Sequence, residues 1–171
     1  MLRRVLAIRE QHLGADHPQV AAALMSLYQA ESAAFSLAGS PPGRHAELEP
    51  VLRRALQIRE AALGTSHPDT ANTLFNLAHL LDFLGRGEEA LTLHLRALHI
   101  REQAHGSAHE DLADSLAAVA RLYERLGRHD ESEPFFRRAL AMREQTLGHD
   151  APDTVAIRNS LSMLLRNIRR R

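Results

Sequence analysis

One phrase, an apolar residue followed by Arg-Glu and then by a glycine-containing turn, occurs four times in this chain. The copies are Ile8-Arg9-Glu10 with Gly14, Ile58-Arg59-Glu60 with Gly64, Ile100-Arg101-Glu102 with Gly106, and Met142-Arg143-Glu144 with Gly148. Successive copies are 50, 42 and 42 residues apart. Gly-Arg pairs at residues 43–44, 85–86 and 127–128 keep the 42-residue period. Two independent markers with one period indicate an array of structural repeats.

The apolar residues within each repeat have helical spacing. Leu74, Leu77 and Leu81 stand at i, i+3 and i+7, with the small Ala78 at i+4, which places them on one helix face. No stretch alternates polar and apolar residues with period two, so we expect no strands. The predicted helices cover residues 1–13, 18–37, 45–63, 68–84, 87–104, 110–126, 129–147 and 152–168.

These helices pair into hairpins, each with a first and a second helix. We expect a single domain over residues 1–171, made of a half repeat, three hairpins and a terminal first-type helix. The half repeat is 1–14, the hairpins are about 18–63, 68–105 and 110–147, and the terminal helix is about 152–168. The first hairpin carries an eight-residue insertion between Leu27 and Gly43, which includes the helix-breaking stretch 36–43.

Alanines recur where helices must approach closely. Ala78 and Ala120 occupy the same position in two first-type helices, and Ala97 and Ala139 do so in two second-type helices. One hairpin cannot bury both of its apolar faces, so neighbouring hairpins must stack.

The repeated pattern resembles the tetratricopeptide repeat. Its long form in kinesin light chains and nephrocystin-like proteins carries A-L-x-I-x-E, then L-G-x-D-H-P-x-T-A, then N-L-A. The matching residues here are Ala55-Leu56-Gln57-Ile58-Arg59-Glu60, Leu63-Gly64-Thr65-Ser66-His67-Pro68-Asp69-Thr70-Ala71 and Asn76-Leu77-Ala78. Glu110 replaces the proline in the third copy and Ala151 replaces the histidine in the fourth. The resemblance implies an all-α, right-handed α-solenoid of stacked hairpins; HEAT-like repeats, which lack the Gly-Arg turn, are the structural alternative.

Composition excludes several functional classes. The 171 residues carry 21 basic and 21 acidic side chains, so bulk charge does not favour nucleic acid or membranes. There is no cysteine, no apolar run long enough to cross a membrane, and charge too early for a signal peptide. We therefore expect a cytoplasmic protein. No nucleophile elbow, phosphate-binding glycine loop or zinc-protease motif occurs, so we expect neither an enzyme nor a cofactor.

The eleven histidines do not predict a metal site. His17, His67 and His109 occupy equivalent connectors in different repeats, so helix packing distances keep them apart. The recurrent Arg-Glu pairs are interpreted as solvated residues or junction salt bridges, not as acid–base catalysts.

The resemblance also implies a concave groove, lined by first-type helices, that binds a peptide or protein segment. The helices at 68–84, 110–126 and 152–168 would form it, and Phe75 and Phe83 would seat an apolar anchor while arginines bind acidic residues. The predicted site residues are Asn72, Phe75, His79, Phe83, Arg121, Arg125, Asn159 and Arg166, with Asp82, Asp114, Ala117, Glu124, Ala156 and Met163 on the same stripe.

Two further possibilities stay open. The array could be the regulatory or sensor segment of a larger multidomain signalling protein, such as a signalling ATPase. The opening second-type helix, with Leu2, Val5, Leu6 and Ile8 on one stripe, lacks a hairpin partner, so we expect it to pack on another copy or on preceding sequence. The arginines that end the chain, Arg169 to Arg171, are interpreted as a solvated end.

Overall fold

The chain folds into α-helices joined by short turns. A computed structural model describes residues 1–37, 42–105 and 110–170. The helices are α1 (Leu2–Leu13), α2 (Pro18–Leu37), α3 (Pro42–Ala46), α4 (Glu49–Leu63), α5 (Pro68–Phe83), α6 (Gly87–His105), α7 (Glu110–Arg125), α8 (His129–Leu147) and α9 (Pro152–Ile168). Over these ranges there is no strand, which confirms the all-α class. Gly106, His109 and part of the helix-breaking stretch lie outside the described residues.

The helix predicted over residues 45–63 was wrong in one respect. The structure has the short α3, a turn at Glu47 and Leu48, and only then α4. Pro50 stands in the first turn of α4. Proline has no N–H to donate to a preceding turn, which favours it near a helix start. The equivalent Pro134 nevertheless lies inside the continuous α8, so proline alone does not account for the division between α3 and α4.

Residue contacts divide the helices into two compact units, Met1–Arg86 and Gly87–Arg171. The core of the first unit includes Leu52 and Leu74, and that of the second includes Leu116, Phe136 and Leu164; all five are fully buried. Each unit thus has a mainly aliphatic core of its own. The single domain over 1–171 stays a prediction.

The repeated alanines lie where the sequence places them. Ala78 in the first unit is fully buried, as are Ala97, Ala120 and Ala139 in the second. A methyl group at these points lets two helix backbones approach, while the neighbouring leucines fill the space around the contact.

The arginine of the repeated phrase joins one hairpin to the next. In the second copy, Arg59 of α4 donates from Nη1 to the Asp69 carbonyl oxygen (2.8 Å) and to Thr73 Oγ1 (2.7 Å), both in α5. Its burial lowers the pKa of Arg59, an effect that the charge of Asp69 opposes. Arg59 thus lies at a junction between hairpins, which was one of the two interpretations of the sequence. Its partners are a main-chain carbonyl oxygen and a hydroxyl group.

The third copy repeats this contact in the second unit. Arg101 Nη1 donates to the Asp111 carbonyl oxygen (2.9 Å) and to Ser115 Oγ (2.6 Å), and the arginine is almost fully buried. Burial lowers the pKa of Arg101, while Asp111 and Asp114 oppose that shift. The interpretation of this arginine as solvated was therefore wrong. We call this contact, from the phrase arginine to the carbonyl ten residues later, the arginine clamp.

The first copy of the phrase separates the two hydrogen bonds of the arginine clamp. Arg9 reaches the Gln19 carbonyl oxygen (2.9 Å) ten residues later. The residue fourteen positions after the arginine is Ala23, which has no hydroxyl. The carbonyl contact therefore follows from the fold, and the second hydrogen bond depends on Thr or Ser at that one position.

The glutamate of the phrase also has a repeated partner. Arg54 of α4 pairs with Glu10 of α1 (2.6 Å), and Arg138 of α8 pairs with Glu102 of α6 (2.6 Å). Each ion pair joins consecutive second-type helices inside one unit. The four side chains are partly exposed, so each pair contributes at most about 1 kcal/mol.

The Gly-Arg pairs end first-type helices. Gly85 and Gly127 have φ of 81° and 75°, the left-handed conformation that glycine adopts without strain. The arginine that follows then turns back to the previous second-type helix: Arg86 donates to Glu49 (2.7 Å) and Arg128 approaches Glu88 (3.5 Å).

Two connector histidines cap helices. The Gln19 N–H donates to His17 Nδ1 (3.2 Å), and the Asp69 N–H donates to His67 Nδ1 (3.1 Å). Each imidazole thus satisfies one of the backbone donors left free at a helix start. The connector interpretation is confirmed for these two residues.

Helix α1 packs on α2 and keeps an uncovered side. Leu2, Val5 and Leu6 are half-buried, and Ile8 is 45% exposed. Association through this face stays a prediction. No helix within the described ranges is long and apolar enough to cross a membrane.

We expect Ala97→Arg and Ala139→Arg each to lower the free energy of unfolding by roughly 3 kcal/mol or more, because a long charged side chain cannot fit these buried contacts. Urea denaturation would measure it. Ala141→Arg on the exposed face of α8 is the matched control and should be nearly neutral. Wild-type stability of the two buried variants would show that the assigned repeat register is wrong.

The arginine clamp should contribute more than an exposed ion pair does. Arg101→Met removes the charged donor from the buried Ser115 hydroxyl and from the part-buried Asp111 carbonyl oxygen, so we expect a loss of about 2–3 kcal/mol. Arg138→Met removes only an ion pair that is half exposed, so we expect less than about 1 kcal/mol. Equal losses in the two variants, measured by urea denaturation, would contradict the clamp.

Candidate functional site

The predicted site residues lie on first-type helices in both units. Asn72, Phe75, His79 and Phe83 belong to α5 of the first unit; Arg121 and Arg125 belong to α7, and Asn159 and Arg166 to α9, of the second unit. Their arrangement as one continuous groove stays a prediction, and each unit presents its own surface.

An aromatic row runs along α5. Phe75, His79 and Phe83 stand four residues apart, so their side chains share one face of the helix. The rings of Phe75 and His79 meet edge to face, with centroids 4.6 Å apart. Phe83 is 57% exposed. We call these three residues the aromatic row.

Helix α3, just after the insertion, contributes a residue that sequence reasoning missed. The ring of His45, in α3, lies 4.5 Å from that of Phe83. His45 is itself buried, so α3 supports one side of the exposed phenylalanine. Asn72, one turn before the row, is half-buried, and its carbonyl oxygen accepts from Asn76 Nδ2 (2.8 Å).

The second unit contains a cavity of about 220 Å³ between α7 and α9, with α8 behind it. Its lining residues are Asp114, Ala117, Arg121, Arg143, Asp153, Ala156 and Ile157. Ala117, predicted on the exposed stripe, is in fact almost fully buried and forms part of the cavity floor. We call this space the α7–α9 cavity.

Two arginines and two aspartates line the cavity. Arg143 is only 3% exposed, and its Nη2 donates to Asp114 Oδ1. Arg121 on α7 and Asp153 on α9 are exposed. Surrounding protein desolvates Arg121 and lowers its pKa; Asp114 opposes this shift and the neighbouring Arg125 adds to it. The guanidinium stays charged, because an arginine pKa lies far above neutral pH.

Three other predicted residues lie outside the α7–α9 cavity. Arg125, Asn159 and Arg166 are exposed on their helices, and Arg166 Nε donates to the Ser162 carbonyl oxygen of its own helix (3.3 Å). Of the predicted stripe, Ala117, Arg121 and Ala156 line the α7–α9 cavity together. Arg125, Asn159 and Arg166 do not line it.

Arg143 and Asp153 were missed as site residues. Arg143 belongs to the repeated phrase, whose arginines were interpreted only as solvated or junction residues. A signal was present: Ile157 stands fourteen residues after Arg143, where the second and third copies have Thr73 and Ser115. The fourth copy therefore cannot offer a hydroxyl at this point, and its arginine hydrogen-bonds to a carboxylate at the cavity.

No three His, Asp or Glu side chains lie close enough together to hold a metal ion within residues 1–37, 42–105 and 110–170.

Family comparison agrees with the repeated hairpins. A tetratricopeptide repeat model matches residues 43–98, 79–145 and 118–170, and a second model of the same description matches residues 1–19. These matches cover more than half of the chain. The chain belongs to the tetratricopeptide repeat family. No curated protein matches it.

Solved tetratricopeptide structures share the fold. A Podosopora anserina protein assigned as a kinesin light chain, with nearly identical TPR-like repeats, aligns with a TM-score of 0.80 at 24% identity, over 99% of this chain and 77% of that one. A variant of that protein aligns with a TM-score of 0.81 at 24% identity, over 99% and 76% of the two chains. BtubC (BKLC) from P. vanneervenii aligns with a TM-score of 0.74 at 18% identity, over 97% of this chain and 62% of its own length. The predicted kinesin light chain-like tetratricopeptide fold is confirmed.

The two cavity aspartates should differ in their effect on stability. Asp114→Asn removes the charge that pairs with buried Arg143, so we expect a loss on the order of 1–2 kcal/mol. Asp153→Asn is the matched control, since the Asp153 carboxylate has no hydrogen bond within the described residues, and we expect a change within about 0.5 kcal/mol. Denaturation curves would measure both. Equal effects would contradict the assigned Arg143–Asp114 pair.

Proposed function

We propose that this tetratricopeptide protein is a non-catalytic interaction scaffold that binds a peptide or protein segment through its first-type helices. The observation that carries the proposal is the aromatic row on α5. Apolar side chains that cluster on an exposed surface often mark an interaction site, and aromatic residues often supply most of the energy of a protein interface. Phe83 is more than half exposed, and His45 supports its ring from one side.

The row is suited to an apolar anchor. Phe75 and Phe83 lie eight residues apart, which is about 12 Å along a helix. The bound segment can therefore place an apolar side chain against either ring, with His79 between them. Because the two rings are already held by neighbouring histidines, binding should require little further ordering.

Arginines on α7 and α9 support a partner that also carries acidic residues. Arg121, Arg125 and Arg166 are exposed, and a guanidinium can donate two parallel hydrogen bonds to a carboxylate. Asp114 and Glu124 on α7 offset part of this charge. The apolar anchor is therefore expected to contribute more to affinity than the acidic residues do.

The regulatory alternative uses the same surfaces. A sensor segment of a larger signalling protein would also bind a protein segment, and would differ in what that binding controls. In both the scaffold and the sensor alternatives, the proposed partner is a protein, with no role for nucleic acid or membrane. In both, the proposed location is the cytoplasm. Self-association through α1 would leave the first-type helices accessible.

A diverse peptide library tests the proposal. We expect peptides with an apolar anchor and acidic residues to bind the wild-type chain, and Phe75→Ala/Arg121→Glu to lose both affinity and preference. Titration by fluorescence anisotropy would measure the two effects, with circular dichroism to verify unchanged helicity.

Ala141→Arg, on the exposed face of a second-type helix, is the control variant and should bind like wild type. If peptides bind and the double variant keeps the same affinities and preferences, the assignment of the binding face to first-type helices is wrong. If no peptide binds, the scaffold proposal itself fails.

A further inference from the structure

Two charged side chains of the α7–α9 cavity are available to hydrogen-bond a ligand. Arg121 on α7 and Asp153 on α9 both line it. Neither side chain makes a hydrogen bond or a close ion pair within the part of the chain that the structure describes. The cavity thus presents a donor from α7 and an acceptor from α9.

The remaining charges of the cavity are paired with each other. Arg143 donates to Asp114, and the arginine is almost fully buried. The cavity therefore carries two positive and two negative side chains in all. A bound carboxylate would meet Asp114 and Asp153, and a bound ammonium group would meet Arg121 and Arg143. Repulsion between like charges offsets the attraction between opposite charges, so a charged ligand gains little binding free energy in this cavity.

The size of the cavity restricts what enters it. About 220 Å³ is below the usual 300–1,000 Å³ of a small-molecule site, so the space suits one side chain of a larger partner. Buried Ala117 and Ile157 supply an apolar floor, which can cover the methylene groups of that side chain.

We propose that the α7–α9 cavity binds a primary carboxamide side chain, that of glutamine or asparagine, from the bound segment. Its carbonyl oxygen accepts from the Arg121 guanidinium, and its amide nitrogen donates to the Asp153 carboxylate. A carboxamide is neutral and carries both a donor and an acceptor. The proposal rests on the interaction-scaffold function and adds the kind of side chain that the second unit selects.

Capped tripeptides isolate the side chain from the rest of a partner. The probes are acetyl-Ala-X-Ala-N-methylamide with X as Gln, Glu, Lys or Met, titrated at millimolar concentration while the arginine Nε–Hε signals are followed by NMR. We expect the Gln peptide to bind about tenfold more tightly than the other three, since two hydrogen bonds distinguish it, and to shift the Arg121 signal.

Two variants should change the preference in opposite directions. Asp153→Asn removes one negative charge, so the tightest probe should become the Glu peptide. Arg121→Gln removes one positive charge, so the tightest probe should become the Lys peptide. Both residues are exposed, and thermal melting verifies that each variant folds.

Equal binding of all four probes, no binding of any, or an unchanged ranking in both variants overturns the carboxamide site. Because these probes carry no aromatic-row anchor, such a result leaves the scaffold function standing if library peptides still bind. Failure of the library alone, with the Gln peptide bound at Arg121, would instead reject the scaffold function and keep only the carboxamide site in the cavity.

Discussion

The arginine clamp is the contact on which the stacking of successive hairpins depends. A guanidinium buried between two helices must find hydrogen-bond acceptors, because its desolvation is otherwise costly. Arg59 and Arg101 both find them in a main-chain carbonyl of the next helix and in a Thr or Ser hydroxyl. Removing either arginine would take a charged donor away from a part-buried carbonyl oxygen and from a buried hydroxyl, whereas the glutamate that follows each arginine is partly exposed. The repeated phrase therefore combines one buried junction residue with one partly exposed one.

The fold could be predicted from the sequence because the same local sequence pattern recurs in each repeat. Helical spacing of leucines, the Gly-Arg turn and the His-Pro connector each act over fewer than about ten residues, and local signals of this kind are readable from one sequence. The buried alanines followed from their repeated position. The division between α3 and α4 was missed because the apolar spacing on either side of Pro50 continues as in a helix, and the equivalent Pro134 does lie inside a continuous helix, α8. The junction role of the arginines was only half predicted, since burial depends on neighbouring helices.

The candidate site was predicted less completely than the fold. Register alone placed Phe75, His79 and Phe83 on one face of α5, as observed. The cavity in the second unit could not be foreseen, since it depends on where small side chains leave space between helices. Ala117 was predicted as exposed, but its methyl group forms a buried floor instead. Such features arise from tertiary packing, whereas a periodic pattern reports only the direction in which a side chain leaves its own helix.

The main-chain acceptor of the arginine clamp has a consequence for how such an array can diverge. Gln19, Asp69 and Asp111 all supply the same carbonyl oxygen, although their side chains differ in charge. Every residue type has that oxygen, so substitutions at this position leave the junction intact. The surface residues of a duplicated hairpin can therefore change independently while the arginine clamp still joins it to the next hairpin. Copies of one ancestral unit can in this way acquire an aromatic face in one repeat and a charged cavity in another.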